Sequence, residues 1–284
     1  MSATITAEQW AATRAAVRQI GDRFAALVDT AEPGTMATAD WSVADVAAHV
    51  VLVAWLDSLL LDPGVAPPPV PGLAEEIAAT TVDTVDKLND HCLRHFTERD
   101  PHRLAQLLRA EIDRLLLATA DRDPEMPVTW LGGSRVPVGG LLAHLVNELL
   151  IHGRDVARAT RSRWDMEPRD AATFLEMFVL GMVSQGIGRI QERAETPPDR
   201  RIAVEFRSKY TAPAVMVVRG SEVSIGEPGR DIDVRVSYDP VILNLMLFGR
   251  VSRARALLTG KVIVVGGRRP WLLPAFMRAV RFPS

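Results

Sequence analysis

The chain has 284 residues, 48% hydrophobic and 24% charged, with a formal net charge of -2. That is enough material for one large domain or two ordinary ones with a real core, and the composition is that of a globular protein in water. No unbroken run of eighteen apolar residues and no basic-then-greasy N-terminal stretch occurs, so the expectation is a cytoplasmic protein without membrane association; the lone cysteine, Cys92, excludes an internal disulfide framework.

In chain order, apolar spacing of three and four predicts a helix from about Ala7 to Val28, opened by a capping box of Thr6 and Gln9. The stretch "WSVADVAAHVVLVAWLDSLLL" repeats the pattern, with Ser42 as N-cap, Asp45 three residues later and an apolar helix to about Leu61. The proline-rich "DPGVAPPPVPG" cannot continue it. Helices over Leu73–Thr97 and Pro101–Ala120 follow, then a loop or small hairpin in "PVTWLGGSRVPVGG". A helix from Val138 to Thr160 comes next, then one from Pro168 to Ile190, with its proline well placed in the first turn.

After "ETPPDRR" the texture changes. "IAVEFR", "AVMVVR", "EVSIG" and "IDVRVS" are short β-branched segments separated by Gly, Pro and Asp and read as strands. "DPVILNLMLFGR", "SRARALLTG" and "PWLLPAFMRAV" read as helices, with "KVIVVGG" a strand between the last two. The charge is split in the same way: residues 200–284 carry 15 Lys and Arg against 6 Asp and Glu, about +9, and residues 1–199 carry 18 against 29, about -11. The basic half has neither a nucleic-acid-binding motif nor clustered aromatics, so two docking surfaces or an arginine-lined wall toward an anionic ligand fit better than nucleic acid.

All six histidines lie in the first 152 residues. In "HLVNELLIHGRD", Glu148 and His152 are four residues apart and project side by side from a helix, where together they can grip one ion. A third ligand must come from elsewhere, and His49 is the best placed: it interrupts "DVAAHVVLVAW" with no local reason to be polar. Two histidines and a carboxylate suit zinc or another divalent ion with coordination positions left open. A hydrogen-bonded core histidine and a plain helix ion pair are the alternative readings of these residues. His144 is either a substitute ligand or, as preferred here, a support one turn behind. His91 and His95 flank Cys92 in a rival cluster whose polar neighbours mark it as a solvated helix face. No G-x-S-x-G, G-x-G-x-x-G or P-loop occurs.

"ADWSVADVAAHVV" (Ala39–Val51) and "ELLIHGRDVARAT" (Glu148–Thr160) resemble the W-[ST]-x-x-[DE]-[LV]-x-x-H-[LV] and E-x-x-x-H-x-x-D segments of mycothiol-dependent maleylpyruvate isomerase-like proteins. "DPVILNLMLFGRVSRARALLTGKVIVVGGRRPWLLPAF" is similar to the sterol-carrier-like domain attached to many of them. The resemblance implies an α+β protein of two domains. A DinB-like four-helix bundle would fill residues 1–165, a connecting helix and linker 166–198, and a smaller sterol-carrier-like α+β domain 199–284. It implies a divalent metal, zinc by preference, on His49, Glu148 and His152, with His144 and Asp155 in support. The cosubstrate it implies is mycothiol, held by the metal as a thiolate that adds to an electrophilic small molecule, for S-transfer or for isomerisation by addition and elimination. Arg250 and Arg253 are the arginines expected to meet a substrate carboxylate, with Arg255 beside them. Rival functions are a non-catalytic binder of a hydrophobic or lipid-like ligand and a metal-dependent hydrolase using bound water. A small-molecule partner and a monomer or homodimer complete the expectation.

Overall fold

The computed structural model describes residues 4–192 and 200–280. Four long helices, α1 (Ala7–Asp29), α2 (Val43–Leu61), α5 (Pro101–Ala118) and α6 (Val138–Ala159), pack as a bundle, α1 and α2 each lying against α5 and α6. The first two helices start as their sequences dictate. Thr6 accepts from the Gln9 backbone and Ser42 from that of Asp45, and each partner side chain reaches back to the cap. Asp45 also receives the Arg99 Nε at 2.8 Å. Among the described residues α2 is the one helix long and apolar enough to cross a membrane by length and composition. Its apolar surface is covered by the bundle, with Val46, Ala47, Val50, Val51 and Ala54 all buried.

The single helix expected over Leu73–Thr97 is two, α3 (Leu73–Ala79) and α4 (Val85–His95). The break falls on the β-branched run Thr80-Thr81-Val82. There the Thr80 hydroxyl bonds back to the Glu76 carbonyl, and the Val82 N–H goes to the carbonyl of Ile190. Strands β1 (Pro127–Thr129) and β2 (Arg135–Pro137) form the small hairpin before α6.

The helix expected over 168–190 also differs. It runs as α7 (Pro168–Thr173), a π-helical stretch Phe174–Val179 and α8 (Leu180–Gln185), and it stops at Gly186, whose φ of +133° no helix accommodates. The π-helical stretch crosses α6 at Gly140, where a Cβ would stand 2.6 Å from the Met177 carbonyl oxygen. Residues 187–192 turn back against the hairpin, and the linker expected up to 198 falls largely in 193–199, outside the described residues.

The C-terminal part is a five-stranded sheet with helices. Strands β3 (Ile202–Arg207), β4 (Ala214–Arg219), β5 (Glu222–Gly226), β6 (Val234–Tyr238) and β7 (Val262–Gly266) are ordered β5-β4-β3-β6-β7, antiparallel except for the β3–β6 pair. Helices α9 (Pro240–Leu247), α10 (Arg253–Leu258) and α11 (Leu273–Ala279) accompany it. The fold is therefore α+β, a helical bundle followed by a mixed-sheet unit, and one continuous apolar core runs through both. The seam is polar at one point: Asn244 of α9 donates to the Asn147 side chain of α6 at 3.0 Å and to the Ala171 carbonyl at 2.9 Å.

Candidate metal centre

The three residues picked from two distant helices meet inside the bundle. His49 Nε2 and His152 Nε2 each stand 3.3 Å from the same Glu148 oxygen, Oε2, and one donor atom from each residue fits within 4.8 Å of the others. His49 sits mid-helix on α2, facing the i, i+4 pair that α6 presents from its inner side. All three are buried, and the Trp41 ring lies 5.0 Å from His49 and 6.1 Å from His152, centre to centre, covering both imidazoles.

The donor set fits a divalent cation. A charge-assisted N–H···O bond is ~2.7–2.9 Å long, so 3.3 Å is slack for two such bonds to one oxygen. Nitrogen and oxygen ligands at zinc bond lengths of ~2.0–2.1 Å, by contrast, stand about 3.3–3.4 Å apart in a tetrahedron. The other Glu148 oxygen, Oε1, faces His144 Nε2 at 3.6 Å.

The electrostatics differ between the two imidazoles. Burial lowers the His49 pKa against the pull of Glu148, which favours the neutral imidazole. Burial alone would raise Glu148, but His152 and His49 outweigh it and hold the carboxyl well below its usual range. Burial opposes charge on His152, but Asp155 and Glu148 prevail and raise its pKa.

His144 is kept apart from the triad's common oxygen. Its ring is wedged between Trp130 and Phe178, at 5.1 and 4.8 Å between centres, and its Nδ1 has no hydrogen-bond partner among the described residues. Burial lowers its pKa. Asp155 faces His152 Nδ1 with its Oδ2 at 3.6 Å and takes the Arg250 Nη2 at 2.7 Å. Arg250, one of the arginines expected to meet a substrate carboxylate, is turned to a carboxylate of the protein. Arg253 lies exposed in the first turn of α10, and the structure does not join it to the triad. The rival histidines stay on the outside: His91 Nε2 is 2.8 Å from the Pro71 carbonyl oxygen, and His95 Nδ1 is 2.9 Å from that of His91.

Two residues escaped the sequence reading. Asp57, eight positions after His49 on α2, is buried, its Oδ2 unpartnered among the described residues; burial, then repulsion from Glu148, raises its pKa well above the usual carboxylate value. A charge inside "AWLDSLLL" is the same signal that exposed His49. Trp41 stands out in the sequence only as part of a motif; that it covers two imidazoles depends on the loop before α2. Cys92, the chain's one thiol, is pushed up to about 11, by burial first and Glu76 second, and is no nucleophile at neutral pH.

Fold and site together define a helical-bundle protein with a buried His–Glu–His ligand set and an appended α+β unit. A family model described as the mycothiol maleylpyruvate isomerase N-terminal domain matches residues 13–157, just over half of the chain, and includes every residue of that set. The chain belongs to this family. Among solved structures, the chain is similar to a mutant of the mycothiol-dependent maleylpyruvate isomerase, at 18% identity with 92% of each chain covered and a TM-score of 0.49. It is also similar to a further structure of that isomerase, at 14% identity with 91% of this chain and 93% of the other covered and a TM-score of 0.48. No curated protein sequence matches.

Proposed function

We propose that the protein is a divalent-metal-dependent enzyme that uses mycothiol to attack an electrophilic small molecule, either transferring the sulfur or isomerising a double bond by addition and elimination. The observation that carries this reading is the convergence of His49, Glu148 and His152 from two helices, within the segment that matches the family. His49 and His152 would hold the cation through Nε2 and Glu148 through Oε2. A bound divalent cation would lower the pKa of a coordinated thiol so that it is thiolate at neutral pH.

The residues around the triad have distinct tasks. Trp41 shields the imidazoles from bulk water. Glu148, held ionised, offsets the positive charge that would otherwise be buried alone. The thiol would come from outside, since burial holds the Cys92 thiol in its protonated form. In addition, the thiolate forms the S–C bond while the neighbouring carbon takes up a proton from solvent, in place of the one the thiol lost on ionising. Elimination reverses both changes after rotation about the former double bond.

A lipid-like ligand in the C-terminal half finds less support. The apolar seam lined by Phe178, Met182, Met216 and Val223 has a free volume of about 30 Å³, room for a water or two.

The test is metal analysis of the purified protein followed by calorimetric titration with mycothiol. The expected result is one equivalent of divalent metal and a thiol-binding heat that His49→Ala abolishes. Absence of stoichiometric metal, or unchanged thiol binding in the variant, would overturn the reading. Turnover of electrophiles without any low-molecular-weight thiol would replace it with a hydrolase.

A further inference from the structure

The two parts of the chain meet at Asp155. Arg250 turns one edge of its guanidinium to this carboxylate, Nε at 3.1 Å and Nη2 at 2.7 Å from Oδ2, and its Nη1 donates to the Phe248 carbonyl at 2.6 Å. Asp155 is itself buried, and the same Oδ2 faces His152 Nδ1 at 3.6 Å. That Nδ1 has no other partner among the described residues. A histidine that coordinates through Nε2 carries its proton on Nδ1, and the acceptor opposite that proton fixes the tautomer and the ring plane.

The backbone delivering Arg250 is well defined. Helix α9 ends in a paired turn in which the Gly249 N–H bonds to the Met246 carbonyl and the Arg250 N–H to the Leu245 carbonyl. Gly249 sits at φ +73°, the left-handed conformation this turn requires. Asn244, two residues before Met246, pins α9 to Asn147, the neighbour of Glu148 on α6. Guanidinium, carboxylate and imidazole therefore form a line from the C-terminal unit to the triad, anchored at both ends.

We propose that Arg250 is a positioning residue of the metal centre, which holds Asp155 against His152 from the C-terminal unit and does not bind substrate. This rests on the triad being a metal site. The metal centre then belongs to both parts of the chain: the bundle supplies the ligands, and the α+β unit fixes the orientation of one of them. Lysine cannot replace the arginine fully, because one ammonium cannot present two parallel donors to a carboxylate.

The experiment is competition titration of Zn2+ against a chromophoric chelator, with Co2+ absorption spectra at saturation. It compares the full-length wild type with Arg250→Lys, Arg250→Ala, Asp155→Asn and the Arg250→Ala/Asp155→Asn double variant, with melting curves for each. Arg250→Ala and Asp155→Asn are each expected to weaken Zn2+ binding by about 10–100-fold. The double variant should be no worse than the poorer single one, because both break the same line. Arg250→Lys should fall between, with an altered Co2+ spectrum at an unchanged melting temperature, so the result does not depend on the alanine variant folding. Unchanged Zn2+ affinity and Co2+ spectrum in Arg250→Lys and Arg250→Ala, with a raised KM for the electrophile, would overturn the proposal and make Arg250 a substrate residue. A wild type that binds no Zn2+ would overturn the metal reading itself and this inference with it.

Discussion

Two of the places where this protein buries carboxylates meet them with partners that differ in kind. In the bundle, Glu148 is surrounded by His49, His152 and His144, groups that can give up a proton and offer a lone pair. In the sheet, Glu205 on β3 is met by Arg207 and Arg235, both Nε atoms at 2.8 Å, and by the Gly229 N–H at 2.7 Å. Nearby Asp233 accepts from Arg269 and from the Ala203 backbone. Guanidinium is charged at any accessible pH and has no lone pair to give. Burial alone therefore does not identify a site. The second arrangement is closed by its own hydrogen bonds, while the first keeps 3.3 Å contacts around one oxygen, slack for hydrogen bonds and matched to ligands around a cation.

Glu148→Gln should break the contrast most completely. The amide keeps the shape and loses the charge, so stoichiometric metal should vanish from the purified protein while the metal-free fold survives. Wild type at metal 100-fold above its Kd gains about 2.7 kcal/mol from binding. The variant should gain none, which a pair of melting curves with and without Zn2+ will read. An equal metal-induced rise in Tm in both proteins would dissolve the distinction between the two clusters.

Glu205→Gln should do the reverse, leaving metal content untouched and weakening the fold by about 2 kcal/mol, near the low end for hydrogen bonds to charged groups because its arginines are partly exposed. The side chains of Arg207 and Arg235 are 48% and 33% exposed, against 1% for Glu205. The pH dependence has a definite sign. Burial alone would raise the Glu205 pKa, but Arg207, the Gly229 N–H and Arg235 outweigh it and hold it below the usual range. A depressed folded-state pKa stabilises fully above the unfolded value of about 4.3 and is lost as pH falls through the folded one. The Tm gap between wild type and Glu205→Gln should therefore stay constant from neutral pH down to about 5 and close only below about 4. A gap that persists at the lowest pH where both proteins fold would show that the carboxylate charge is not what stabilises β3.

The sequence made one side of this contrast legible and left the other dark. His49 and the Glu148–His152 pair stood out because each is polar where helical period demands apolar residues, and the capping boxes at Thr6 and Ser42 were readable because their partners lie three residues away. The alternation of β-branched runs with Gly, Pro and Asp announced the sheet. What stayed hidden depended on contacts across the chain. The break after Ala79 uses a carbonyl at Ile190, and the partner of Arg250 is 95 residues upstream at Asp155. Charge pairing over such distances leaves no local period. Arg250 and Arg253 looked alike in the sequence, yet one is locked onto Asp155 and the other faces water.

Cys92 provides the smallest expected effect and the sharpest control on where the thiol comes from. With its pKa at about 11, only roughly one molecule in ten thousand carries thiolate at pH 7. Its side chain sits among the apolar residues of the core. Cys92→Ala should therefore lower stability by about 1 kcal/mol through lost packing, and leave metal stoichiometry and dependence on added thiol as they are in the wild type. Native protein should also react with a thiol-modifying disulfide reagent far more slowly than the same protein unfolded in urea. A variant that lost thiol-dependent turnover while keeping its metal would mean that sulfur from the chain itself takes part. The contrast between a proton-releasing cluster and a saturated one would then have to admit Cys92 as a third kind of buried group.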